Sequence, residues 1–237
     1  MIATIASLPL AFEPGTGWRY SVATDVLARV IEVVEGKPIR QVVAERVIDP
    51  LGLADTGFSV ADPSRLMPMF GNGNLDDIMN FEPGPQKLVP TDVTDMYPCD
   101  DPEFGRGGYG LFSTIDDYMQ IAEFLSSGRT ADGNVLLSRK AVELMWTNRI
   151  PAAQMPLMIG PVALAGYGFT LAGRVMLDPG LGFWMTSPGE FGWSGAASTF
   201  FLVDPVEDVI LVVMSQFLGS KIPLADDMRN AIFSALD

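Results

Sequence analysis

The apolar residues of this chain change their period once, near Gly166, and that single change decides the fold class. Before it, Val26, Leu27, Val30, Ile31, Val33 and Val34 recur at helical spacing and stop at Gly36, a residue suited to a left-handed cap. Pro38 suits the first turn of a second helix that carries Ile39, Val42, Val43, Val47 and Ile48 and ends near Asp49-Pro50-Leu51-Gly52. The two are expected to pack as a hairpin. A capping box, Ser113-Thr114-Ile115-Asp116 with the acid in place of Glu, opens a third helix that buries Ile115, Met119, Ala122 and Leu125 before Gly128. Ser138 caps a fourth, which includes Val142 and Met145.

After Gly166 the segments Gly166–Leu177, Gly182–Ser187, Ala197–Val203 and Asp208–Gln216 read as strands, and Asp204-Pro205-Val206-Glu207 joins the last two as a hairpin turn. Val209–Met214 is apolar on both faces, which predicts a central strand covered from both sides. A closing helix after Pro223 presents Met228, Ile232 and Leu236 on one face. Helices first, an antiparallel sheet second and one helix over it define an α+β arrangement. Residues 1–165 read as a mainly helical, loop-rich region and 166–237 as the sheet with its C-terminal helix.

Histidine is absent from all 237 residues, so a Ser-His-Asp or Cys-His arrangement and any histidine-ligated zinc lie outside this chain's reach. The available bases are carboxylates, Lys and Tyr; the available nucleophiles are Ser, Thr, Tyr and the lone Cys99. Cys99 sits in Tyr97-Pro98-Cys99-Asp100-Asp101, where neighbouring carboxylates favour the thiol, and reads as a loop or packing cysteine. Asp92, Asp95, Asp100, Asp101 and Glu103 lack a calcium-loop spacing and read as a solvated acidic loop. Gly105-Arg106-Gly107-Gly108-Tyr109-Gly110 lacks the Gly-Lys-Ser/Thr ending and the preceding strand of a phosphate cradle. No metal and no cofactor is expected.

The formal charge of -14 argues against a nucleic-acid partner, because a polyanion would be repelled and no basic stripe offsets it. The longest apolar runs fall far short of the roughly 20 residues that span a bilayer. Met1 to Leu10 has no Lys or Arg ahead of its apolar residues, which is a poor signal peptide, so the default location is cytoplasmic.

Gly and Pro concentrate in Phe12–Gly17, Gly71–Gly110 and Gly160–Trp193, and two segments there carry chemistry. Phe12-Glu13-Pro14-Gly15-Thr16-Gly17-Trp18-Arg19-Tyr20-Ser21 sets Tyr20 where the first long helix begins. Phe191-Gly192-Trp193-Ser194-Gly195-Ala196 sets small residues at a strand entrance, where a ligand can approach the backbone. Taken singly, Tyr20 could simply anchor a loop, and Gly192 and Gly195 could simply serve a bend.

Together with Asp49-Pro50-Leu51-Gly52-Leu53, Asp55-Thr56-Gly57-Phe58 and Gly107-Gly108-Tyr109-Gly110-Leu111 before Ser113-Thr114, these segments occur in an order that resembles the serine β-lactamase-like hydrolases. The likeness is to the class C β-lactamases and related carboxylesterases and extends over nearly the whole chain. It implies a partial β-lactamase/transpeptidase-like fold and a mechanism without histidine. In that family a Ser-x-x-Lys motif supplies the nucleophile and a lysine one helical turn away, and a tyrosine shares the proton. A third motif on the sheet edge is followed by an N–H that stabilises the oxyanion.

By that resemblance Tyr20 is the tyrosine, Trp193-Ser194-Gly195 is the third motif and Ala196 N–H is an oxyanion donor. Valine follows Tyr20-Ser21 where a β-lactamase usually has asparagine, and Trp193 stands in place of a lysine. Both departures make the pocket more apolar and favour acyl esters over penicillin-like anions. No serine in the sequence has lysine three positions later: Ser138 and Lys140 are two apart, and Ser220 and Lys221 are adjacent. The expectation is therefore the C-terminal part of a serine esterase, one incomplete catalytic domain that is inactive alone. Its partners would be a small ester or amide substrate and either a complementary N-terminal segment or a second copy through self-association. A β-lactamase-type amide hydrolase, or a non-catalytic binding module of the same fold, are the alternatives. If an N-terminal segment is missing, the location is undetermined.

Overall fold

The computed structural model describes residues 2–71, 88–101, 103–220 and 222–236; the remainder of the predicted Gly71–Gly110 loop region, and Lys221, lie outside the described residues. A short helix α1 (Ile2–Ala6) precedes α2 (Ala23–Glu35), which ends at Gly36 in the left-handed conformation, φ 68°, as its position after the last valine predicts. Pro38 is the residue before α3 (Ile39–Val43), and the helical path continues through a widened π-helical stretch, Ala44–Ile48, into α4 (Asp49–Leu51). The hairpin is fastened at its bend, where Glu32 accepts from Ile39 N at 2.9 Å, and further along by the Arg46–Glu35 pair.

Two short strands, β1 (Phe70–Gly71) and β2 (Val89–Pro90), pair antiparallel. Helix α5 (Ile115–Ser127) begins one residue later than the predicted box, because Thr114 is the cap and accepts from Asp117 N. Its first residue, Ile115, remains 49% exposed, while Ala122 is fully buried. Ser138 caps α6 (Arg139–Met145) by accepting from Ala141 N, as expected.

A hairpin of β3 (Leu157–Ile159) and β4 (Val162–Leu164) leads into a five-stranded antiparallel sheet in which each strand neighbours the next in sequence. The predicted strand Gly166–Leu177 is two strands, β5 (Tyr167–Phe169) and β6 (Arg174–Met176). The Thr170 hydroxyl organises the bend between them by accepting from Ala172 N and Gly173 N. Gly182–Ser187 is not a strand: Asp178 caps a short helix α7 (Pro179–Gly182), and Phe183 follows in the left-handed conformation. The chain re-enters the sheet as β7 (Phe191–Ser194).

β8 (Phe200–Asp204) and β9 (Val209–Val213) follow, joined as predicted by the Asp204–Glu207 turn, which Asp204 stabilises by accepting from Val206 N and Glu207 N. The expected central strand is a correction: β8 is buried at all five positions, whereas β9 is last in the sheet order of the described residues. Continuous apolar sequence reports coverage of both faces and is blind to which edge is paired.

That coverage follows from alternation along the strands. Phe201, Val203 and Val212 face α5 and α6 in a core with Ala122, Val142, Trp146, Val175 and Phe191. Phe200, Leu202 and Leu211 face α8 (Leu224–Phe233) through Ala225, Ile232 and Phe233. Met228 and Leu236, expected on the buried face, are about two-fifths exposed; Arg229 occupies that face instead. Its guanidinium lies 4.8 Å from the Trp184 ring and 5.5 Å from Phe200, a pairing that hydropathy cannot anticipate. Across Phe200, Arg174 lies 4.7 Å from the Tyr167 ring. Burial, chiefly, pushes the Tyr167 phenol well above its usual range, and its hydroxyl donates to buried Glu190 at 2.8 Å.

Candidate active site

The loop into Tyr20 is held by its own backbone. Thr16 donates to the Glu13 carbonyl through both its amide and its hydroxyl, and Gly15 takes φ 86°. The chain then enters α2, whose first turn carries the buried Asp25. Asp25 accepts from Gly107 N at 3.1 Å, and a Cβ on Gly107 would lie 2.0 Å from the Thr24 carbonyl oxygen. The Gly105–Gly110 segment that superficially resembles a phosphate cradle is thus a close-packed prop for the helix that begins beside Tyr20.

The second segment, β7, lies between β6 and β8, and Gly192 is there because a Cβ would meet the Phe201 carbonyl oxygen at 2.1 Å. After the Ser194–Phe200 pair the chain turns through Gly195–Thr199. Gly195 N donates to Thr199 O, Ser198 N donates to Gly195 O, and Ser198 adopts φ 60°. This is a hairpin loop with a left-handed residue before the returning strand. The turn is also tied outward: Gly219 N donates to Ala196 O, Phe217 N to Ala197 O, and the Ser198 hydroxyl to Phe217 O. Ala196 is exposed, and among the described residues its N–H has no acceptor, so it projects a free donor from a fixed turn.

Tyr20 and Trp193, far apart in sequence, meet with ring centroids 5.4 Å apart and planes tilted by 38°. Tyr20 is 44% exposed. Trp193 is half-buried on the core beneath β7, while Ser194 and Gly195 lead from it to the exposed turn. Of the five residues singled out in the sequence, Tyr20 thus meets Trp193 directly, and Ser194, Gly195 and Ala196 follow Trp193 along the chain into the turn.

Two further rings belong there and were not anticipated. Phe169 meets Trp193 edge-on at 5.2 Å, and Trp18 meets Phe169 at 5.0 Å. Trp18 carried a signal, since a residue two before Tyr20 in an extended segment shares its side. Phe169 carried none, because only the bend at Thr170–Gly173 brings its strand there.

The other segments of the resemblance do structural work. Asp117 accepts from Asp55 N and from the Thr56 hydroxyl, both at 2.8 Å, and Thr56 and Ser113 share a 2.7 Å hydroxyl contact. Gly57 and Phe112 complete the clasp as a two-way backbone bridge. The half-buried Cys99 accepts from Val60 N through its carbonyl. Among the described residues no three His, Cys, Asp or Glu side chains gather as metal ligands.

Comparison with known proteins gives a consistent picture. The family profile described as Beta-lactamase matches residues 1–234. Protein Rv1367c of Mycobacterium tuberculosis is 34% identical over 221 residues, covering 91% of this chain and 52% of that protein. Esterase EstB of Burkholderia gladioli is 27% identical over 244 residues, covering 97% of this chain and 58% of its own length. Among solved structures, EstCE1, described as a hydrolase with promiscuous acyltransferase activity, superposes with a TM-score of 0.79 at 25% identity, over 97% of this chain and 59% of that one. The chain spans about half the length of the curated relatives it matches.

Proposed function

The chain belongs to the beta-lactamase family, and from that premise we propose that it forms the part of a serine ester hydrolase that carries the base and one oxyanion donor. The observation that carries this reading is the Tyr20–Trp193 contact, which sets a phenol beside an aromatic ring where a lysine would otherwise stand. With Trp193 at that position the third motif offers no ammonium to a carboxylate-bearing β-lactam, so a neutral acyl ester is the better substrate.

In the proposed reaction Tyr20, sharing its own proton with the lysine of the Ser-x-x-Lys segment, takes the proton from a serine hydroxyl as that oxygen adds to the ester carbonyl carbon. The carbonyl electrons move onto oxygen, and the Ala196 N–H donates to the oxyanion. Collapse expels the alcohol, which leaves with the proton from Tyr20. Water then repeats the sequence on the acyl-enzyme and releases the acid. The attacking serine and the lysine beside it are supplied by a segment other than these 237 residues, in which no serine is followed by lysine three positions on.

Incubation of the purified chain with a fluorophosphonate probe and a short-chain nitrophenyl ester tests the assignment. Neither labelling nor turnover is expected until a polypeptide bearing Ser-x-x-Lys is supplied. Stoichiometric labelling of the chain alone would overturn the division of roles. In the complemented protein, Tyr20→Phe should slow acylation by about 100-fold or more.

A further inference from the structure

We infer that the row of rings Tyr20, Trp193, Phe169 and Trp18 is the acyl-binding wall of the site and that it selects esters of flat, uncharged, aromatic acids. The assignment of the bound group as an acyl group rests on the ester-hydrolase reading above. The row itself rests on geometry: successive centroids are 5.4, 5.2 and 5.0 Å apart, and no ring repeats a neighbour's plane. Tilted and edge-on rings leave faces and edges available to a further ring in the arrangements that aromatic quadrupoles favour.

The wall is fixed before any ligand arrives. Trp193 packs on the core under β7, whereas Phe169 and Trp18 pack on the separate cluster of Ile150, Leu157, Tyr167 and Met176, so the row bridges two cores. The Phe169 backbone is held from both sides, donating to Asn148 Oδ1 at 3.1 Å and accepting from Arg149 N at 2.8 Å. A ligand therefore orders few side chains when it binds. Polarity runs along the row, from the exposed Tyr20 at one end to half-buried Trp18 and Phe169 at the other, which suits a carbonyl at the Tyr20 end and a ring on the inner rings. The net charge of -14 disfavours the free acid. Among the described residues the ring contacts run in a line, Tyr20 to Trp193 to Phe169 to Trp18, an open row and not the enclosing cage that holds a quaternary ammonium.

Binding to the purified chain by equilibrium dialysis tests this without catalysis. Methyl naphthoate should bind about tenfold more tightly than its fully hydrogenated analogue, which has similar apolar area and no aromatic quadrupole, and about tenfold more tightly than the naphthoate anion. Phe169→Leu and, independently, Trp18→Leu at the other member of the inner pair should each erase most of the preference for the aryl ester and leave the hydrogenated analogue unchanged. Equal binding of the aryl and hydrogenated esters would overturn the proposal, as would tighter binding of acetylcholine than of methyl naphthoate. The two failures separate. Loss of aryl preference with ester turnover intact in the complemented enzyme removes the wall alone; aryl binding without any turnover removes the hydrolase reading on which the acyl assignment rests.

Discussion

Strand β8 and helix α2 treat their apolar residues in opposite ways. All five residues of β8 are buried: Phe200 and Leu202 face α8, Phe201 and Val203 face α5, and Asp204 holds the turn that follows. Helix α2 turns Asp25 and Ala28 inward and leaves Leu27, Val30, Val33 and Val34 between 52% and 78% exposed. Both elements are rich in apolar residues, yet only one finds its cover within the described residues. Amphipathic patterning dictates that a face will be covered and says nothing about which chain covers it.

The sharpest way to break this contrast is truncation on each side of it. Leu202→Ala, at a fully buried position, should lower unfolding stability by about 2 to 5 kcal/mol, whereas Val34→Ala should change it by no more than about 0.5 kcal/mol. Urea unfolding of both variants measures the difference, and equal losses would mean that α2 is covered after all. Next in size is Asp204→Ala, which strands the amides of Ser187, Val206 and Glu207; a loss of about 3 kcal/mol is expected in the same assay.

The exposed face of α2 can be probed through association. The double variant Val30→Lys, Val34→Lys should weaken concentration-dependent self-association while holding the unfolding midpoint, since Lys favours the helix more than Val does. Sedimentation velocity that finds the unmodified chain monomeric at high concentration would remove the basis for this expectation.

The smallest effect concerns acid. Ile39 N–H, and secondarily the neighbouring Arg29, hold the Glu32 carboxyl below the usual 4.5 of a glutamate. A depressed native value stabilises the fold fully above the unfolded value and is lost as pH falls through the native one. Loosening of the α2–α3 bend should therefore begin as pH drops below about 4.5, and Glu32→Gln should flatten that dependence. Amide exchange at Ile39 that is unchanged from neutral pH to pH 3, after correction for intrinsic rates, would contradict it.

The helix stops at Gly36 and Gly128, the Ser138 cap and the Asp204 turn were legible in the sequence because each depends on residues within one turn of the chain. What was not legible depends on partners. The Thr170 hydroxyl splits an apparent single strand, Asp178 converts an apolar run into a helix, and Arg229 takes a buried place that hydropathy assigns to Met228. In the candidate site, Tyr20 and the Trp193–Ala196 run were identifiable from segment order, and their approach was implied only by resemblance. Phe169 was invisible because sheet register, not its own neighbourhood, brings it to Trp193.

The clasp at Asp117 joins residues 62 positions apart, and the chain between its ends is tied to the fold again at Phe70, which bonds Gln216 and Leu218, and at Gly107, which bonds Asp25. A loop whose ends are already pinned costs little more to lengthen, because closure entropy grows only logarithmically with length. Evolution can therefore lengthen the chain between such ties at little cost, whereas an exchange at Gly107 itself would push a Cβ into the Thr24 carbonyl. Diversity can accumulate between the ties while the ties themselves stay still.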